Sequence, residues 1–195
     1  MDGCEAAYDR LCLAEAEVSA HWLISAQGQA HALVDEAARA WHAGAGAWGR
    51  QGDVNSRSIG IELDNTGSVP FSAPQMNALE DLLRAIMARW EIPAHAVIGH
   101  SDMAPIRKID PGPRFDWQRL ARQGLSVWPC AGITADPAAF RQAALAFGYP
   151  DVEDDALLSA FRLRFRPRHT GPLDAVDAGM ACDLAERFAA PQRAA

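Results

Sequence analysis

Hydrophobic and polar positions change period along the chain, and each change marks an element. Residues 5–13 follow a possible helix entry at Asp2 and Gly3 and read as a short helix. In the segment 18–24, Val18, Ala20, Trp22 and Ile24 alternate with polar or oppositely directed neighbours, His21 among them, which predicts a half-buried strand. Residues 41–55 are rich in Gly and Trp and hold no period, so they predict a long ordered loop over a binding surface. A second strand is predicted over 58–63, with Ile59, Ile61 and Leu63 on one side. On its other side Glu62 stands between small residues, which leaves room for a ligand.

The strongest helical period follows. Ser72 and Gln75 make a capping-box pattern, and Met76, Leu79, Leu82, Leu83, Ile86, Met87 and Trp90 fall on one face of a helix that ends before Pro93. Residues 96–99 predict a short buried strand that delivers His100 at its end. Beyond a linker at 129–134, three helical patterns occupy 137–147, 155–165 and 173–188, the first opened by Asp136 as N-cap and Pro137 at the first helical position. The partition is therefore a larger first domain and a small helical second one.

Composition narrows the function. A chain of 195 residues with 49% hydrophobic residues can form a real core, and a net charge of −7 argues against binding a phosphate backbone, so nucleic acid is not an expected partner. Cys4, Cys12, Cys130 and Cys182 lack Cys-x-x-Cys spacing, which suggests free or buried thiols instead of a thiolate metal cluster. No apolar run reaches the roughly 18 residues of a transmembrane segment. The residues after Met1 are acidic where an export signal would be basic and then apolar.

The chemistry concentrates in the run from His100 to Pro113, HSDMAPIRKIDPGP. Zinc accepts neutral imidazole and carboxylate, and a loop returning from His100 to Asp110 can bring both to one ion. Lys108, two residues before Asp110, shares its side of an extended segment and would set a fixed cation where an oxyanion forms. Taken singly, these residues also fit a strand-end histidine and a surface ion pair, and Glu62 fits a solvated strand carboxylate. Trp48 on the loop is placed to stack on a sugar, although tryptophans are packing residues first.

The pattern as a whole resembles the N-acetylmuramoyl-L-alanine amidases of the AmpD and AmiD type, related in fold to peptidoglycan recognition proteins. The run 100–113 carries the resemblance, supported in order by VSAHWLI at 18–24, AWHAG at 40–44 and SIGIE at 58–62. It covers residues 1–128. It implies an α/β fold with a mixed central β-sheet flanked by helices, an amidase domain over 1–128, and hydrolysis of the bond between the muramoyl lactyl group and L-alanine of peptidoglycan. It also implies Zn2+ held by His100 and Asp110, catalysis by Glu62 and Lys108, and substrate contacts from His42, Trp48 and Asn55. The family's remaining zinc histidine lies on a strand expected upstream of Met1. The alternative is a noncatalytic peptidoglycan-binding protein that has lost that ligand.

AFRLRFRP at 160–167 resembles the Phe-x-x-Arg-Phe-Arg-Pro stretch of the small three-helix peptidoglycan-binding domain that follows AmiD-type catalytic domains. This implies such a domain over 135–190, peptidoglycan or muropeptides as partners, and action in the cell envelope or periplasm. Without the resemblance, the same stretch reads as an amphipathic helix with a basic face.

Overall fold

The computed structural model describes residues 3–189, which form two compact units: 3–45 with 53–92, and 46–52 with 93–189. The first holds helix α1 (Cys4–Cys12), strands β1 (Trp22–Ile24), β2 (Ala30–Ala32) and β3 (Ile61–Leu63), and helix α2 (Ala73–Trp90). Its sheet is mixed, in the order β2-β1-β3, with β1 antiparallel to β2 and parallel to β3. Leu23 sits opposite Glu62 and His31.

Both expected strands are real but shorter at their starts. Ser19 N–H donates to the Trp41 carbonyl, and the N–H groups of His21 and Trp22 both donate to the Gly60 carbonyl, so the approach to each strand is extended without a regular ladder. The half-buried expectation for 18–24 is corrected. Ala20, His21, Leu23 and Ile24 are all buried, because β1 is the central strand and both of its faces are covered.

In α2 the Ser72 hydroxyl accepts from the Gln75 N–H at 3.2 Å, as expected of an N-cap. The Gln75 side chain does not return to the cap. It donates to the carbonyls of Ile24 (3.0 Å) and Asp64 (3.3 Å), tying the first helical turn to the ends of two strands. Met76, Leu79, Leu83 and Ile86 are buried, whereas Trp90, expected on the same face, is 45% exposed and donates its indole N–H to Glu36.

The second unit contains the one-turn helix α3 (His100–Met103), α4 (Trp117–Arg122), α5 (Phe140–Phe147), α6 (Asp154–Phe165) and α7 (Ala175–Phe188). Asp136 caps the turn before α5 by accepting from the Ala138 N–H at 2.9 Å. The three C-terminal helices lie where their periods predict them. Their core joins Val127 to Phe140, Phe147, Tyr149, Phe161, Phe165 and Leu184. A buried phenylalanine contributes roughly 1.5–3 kcal/mol, so this aromatic cluster is a major source of the unit's stability.

The strand expected at 96–99 does not form. Residues 94–96 make a single 3-10 turn and 97–99 run extended without a ladder; the Val97 carbonyl accepts from the Arg164 guanidinium at 3.0 Å. The basic-face reading of α6 is also corrected, since Arg162 and Arg164 are 7% and 2% exposed. Arg162 pairs with Asp177 at 2.5 Å, while Arg164 reaches Asp102. The four cysteines are free thiols, and no described helix is long and apolar enough to cross a membrane.

Candidate functional site

His100 opens α3, and the main chain returns to it at Asp110. The Ser101 N–H donates to the Asp110 carbonyl at 2.9 Å, which fixes the return, and the His100 Nδ1 lies 3.0 Å from the Asp110 Oδ2. Close approach requires a glycine before the histidine: a Cβ on Gly99 would meet the Pro111 Cδ at 2.8 Å and the Trp117 Cζ2 at 3.2 Å. An imidazole nitrogen and a carboxylate oxygen at this separation fit two corners of one tetrahedral zinc, whose neighbouring ligand atoms lie about 3.3 Å apart. The imidazole is 16% exposed and the carboxylate 56%, so the pair opens to solvent on the acid's side.

Burial raises the Asp110 carboxyl, but the hydrogen bond and charge of His100 and the charge of Lys108 outweigh it and hold the group below the usual aspartate range. The Lys108 charge thus favours the ionised acid. The Lys108 N–H closes the turn by donating to the Ala104 carbonyl at 3.1 Å, and Ile109, between the two charged residues, is 73% exposed.

Asp102 has no part in the expected site, yet it organises this turn. Its buried carboxylate accepts from the Gly99 N–H at 2.8 Å, the Tyr149 hydroxyl at 2.7 Å and the Arg164 guanidinium at 2.8 Å. Burial and the nearby Asp102 charge push the Tyr149 phenol well above its ordinary value, so it remains a donor. Arg164 also reaches the Ser126 hydroxyl at 3.1 Å and lies 4.3 Å from the Trp117 ring centroid. The signals in the sequence were the third residue of the HSD motif and the first arginine of RFRP.

Trp48 is a packing residue of the second unit. Its ring meets Phe147 and Tyr149 edge-on, with centroids 5.5 and 5.3 Å apart.

In the first unit, Glu62 stands half-buried on β3. The space expected beside Gly60 is filled by His42, since a Cβ there would lie 2.3 Å from the His42 Cγ. Asn55, buried, accepts with its side-chain oxygen from the N–H groups of His42 (3.0 Å) and Ala43 (2.8 Å), so it fixes the loop that carries His42. His21 is structural. The Gly60 N–H donates to its Nδ1 at 2.9 Å, which leaves the Nε2–H to donate to the Ala38 carbonyl at 3.1 Å.

Among the described residues, His169, Asp174 and Asp177 also gather, with ligand atoms within 4.8 Å of one another. Arg166 bonds both carboxylates and Arg162 bonds Asp177, so the acids already have cations.

Comparison with known proteins points the same way as the His100–Asp110 pair. Residues 2–113 match the family model described as N-acetylmuramoyl-L-alanine amidase. The chain is 35% identical over 211 residues to the N-acetylmuramoyl-L-alanine amidase AmiD of Escherichia coli strain K12, covering 90% of this chain and 76% of that one. The solved complex of E. coli AmiD with anhydro-N-acetylmuramic acid-L-Ala-D-gamma-Glu-L-Lys superposes with a TM-score of 0.88 at 34% identity, covering 97% of this chain and 87% of that one. AmpDh3 from Pseudomonas aeruginosa, in complex with anhydromuramic pentapeptide, gives a TM-score of 0.83 at 31% identity over 95% and 88% of the two chains.

Proposed function

Since the chain belongs to the N-acetylmuramoyl-L-alanine amidase family, we propose that it hydrolyses the amide between the muramoyl lactyl group and L-alanine of peptidoglycan-derived muropeptides, with zinc, in the cell envelope. The observation that carries this reading is the 3.0 Å approach of His100 to Asp110 within the family's motif. The solved complexes of two relatives contain anhydro-muramyl peptides, which favours that substrate class.

His100 Nδ1 and Asp110 Oδ2 are the two ligand atoms this motif supplies. Zinc, when bound, provides Lewis acidity toward the scissile carbonyl and its water. Glu62 accepts the proton of the attacking water and returns it to the departing amine of L-alanine. Lys108 places its ammonium beside the oxyanion as charge builds on the carbonyl oxygen. His42 lines the substrate groove, held by Asn55; Trp48 acts by fixing its own segment against Phe147 and Tyr149. The helices over 135–190 bind peptidoglycan.

Incubating the chain and zinc with an anhydro-muramyl peptide is expected to release free stem peptide, detected by mass spectrometry through its new L-alanine N-terminus. A chelator stops the release and zinc restores it. Lys108→Ala lowers kcat by about 100-fold, and Glu62→Gln by about 100-fold or more. Saturable muropeptide binding with zinc present and no peptide released would establish the noncatalytic binding protein instead.

A further inference from the structure

We infer that Arg164, with Tyr149, is a positioning element for the metal-binding turn: through Asp102 the C-terminal helices hold the backbone on which His100 and Asp110 meet. The role of the turn rests on the amidase reading above; the clamp itself rests on geometry alone.

The turn is held on both sides of His100. Upstream, Arg164 takes the Val97 carbonyl at 3.0 Å, and the Gly99 N–H goes to Asp102 at 2.8 Å. Downstream, Asp102 is gripped by Arg164 and Tyr149, and the Ser101 N–H joins the turn to the Asp110 carbonyl at 2.9 Å. Arg164 and Asp102 are each 1% exposed in their side chains, so the pair is dry and its direction is fixed. A guanidinium is suited to this place because its planar fork serves a carboxylate, a carbonyl and a hydroxyl at once while its face stacks on Trp117. The motif in α6 thus acts on the site from inside the core.

Amide hydrogen exchange of the full chain, read residue by residue by NMR, tests the clamp without any metal. Arg164→Met is expected to speed exchange of the Ser101 amide about tenfold relative to amides in the middle of α7, and Arg164→Lys to recover part of that protection. Tyr149→Phe, which removes one hydroxyl from an otherwise intact core, shifts Ser101 the same way by a smaller factor and decides the matter if Arg164→Met does not fold. Zinc affinity, measured by chelator competition, falls about tenfold in Arg164→Met. A Ser101 amide that exchanges at the wild-type rate, or that accelerates only in step with α7, overturns the inference. Wild-type chain that binds no zinc overturns the amidase reading instead, and the exchange pattern still decides the clamp.

Discussion

At the scale of single residues, three histidines of the expected site region separate by what their nitrogens face. His100 faces a carboxylate at the surface, while His21 is buried between a main-chain donor and a main-chain acceptor. That difference is invisible in sequence, because both follow an extended segment. His42 is fixed by its backbone: Asn55 holds its N–H and that of Ala43, and its ring covers Gly60. The side-chain oxygen of Asn55, expected to contact substrate, is taken up by those two main-chain donors, and the room expected beside Glu62 is filled at Gly60 by an imidazole. Gly60→Ala is therefore expected to cost about 1–3 kcal/mol through overpacking, lowering Tm by roughly 2–10 °C for a chain of this size. Asn55→Ala, which strands two donors, costs about 2 kcal/mol. Thermal melts followed by circular dichroism check both; a Gly60→Ala chain that melts with the wild type would show that His42 has space to move.

At the scale of elements, α2 and the three C-terminal helices were legible because the 3.6-residue period of their apolar residues survives in the sequence, whereas the short helices α3 and α4 carry too few turns to show one. The strands were legible as places but not as lengths, since only three residues of each pair in the sheet and the central one is covered on both sides. The strand expected before His100 forms no ladder, and the Val97 carbonyl accepts from an arginine of α6 instead. A side-chain link also joins β1 to the end of α2. Glu36 accepts both nitrogens of a fork from Arg89, at 2.7 and 3.0 Å, and the indole N–H groups of Trp90 (2.6 Å) and Trp22 (2.9 Å). Arg89's hydrogen bonds, opposed by burial and aided by the two indoles, hold the Glu36 carboxyl below its ordinary 4.5. A depressed folded value means that the charged form stabilises the fold. The contribution is complete above pH 4.5 and is lost as pH falls through the folded value. Glu36→Gln should lower stability by about 1–2 kcal/mol at neutral pH and flatten the loss of stability on acidification below pH 4.5. Denaturant melts of both chains between neutral and acid pH measure this, and parallel pH profiles would sink it.

At the scale of the whole molecule, the candidate site was legible where its parts are neighbours in sequence. His100, Lys108 and Asp110 lie within one motif, so the nearness of His100 to Asp110 could be expected from the chain. The support for that motif could not, because Asp102 and Arg164 stand 62 residues apart and each alone is an ordinary charged residue. The division expected at 129–134 can be tested by a chain that ends at residue 134. Such a chain keeps Asp102, Val127 and Trp128 but loses Tyr149 and Arg164, and with them Phe140, Phe147, Phe161 and Phe165 from the aromatic core. Removing one partner of a buried ion pair costs about 3–5 kcal/mol, and each lost aromatic contact adds to that against a total stability of about 5–15 kcal/mol. The shortened chain is expected to lose its cooperative thermal transition, or to keep one only with its Tm lowered by more than about 10 °C. Adding Arg164→Met to the full chain should reproduce part of that loss, while Phe161→Leu, which spares the ion pair, should lower Tm without loosening the Ser101 amide. A chain ending at 134 that melts cooperatively within a few degrees of the full one would mean that the first 134 residues carry their own core, with the buried Asp102 answered by some other cation.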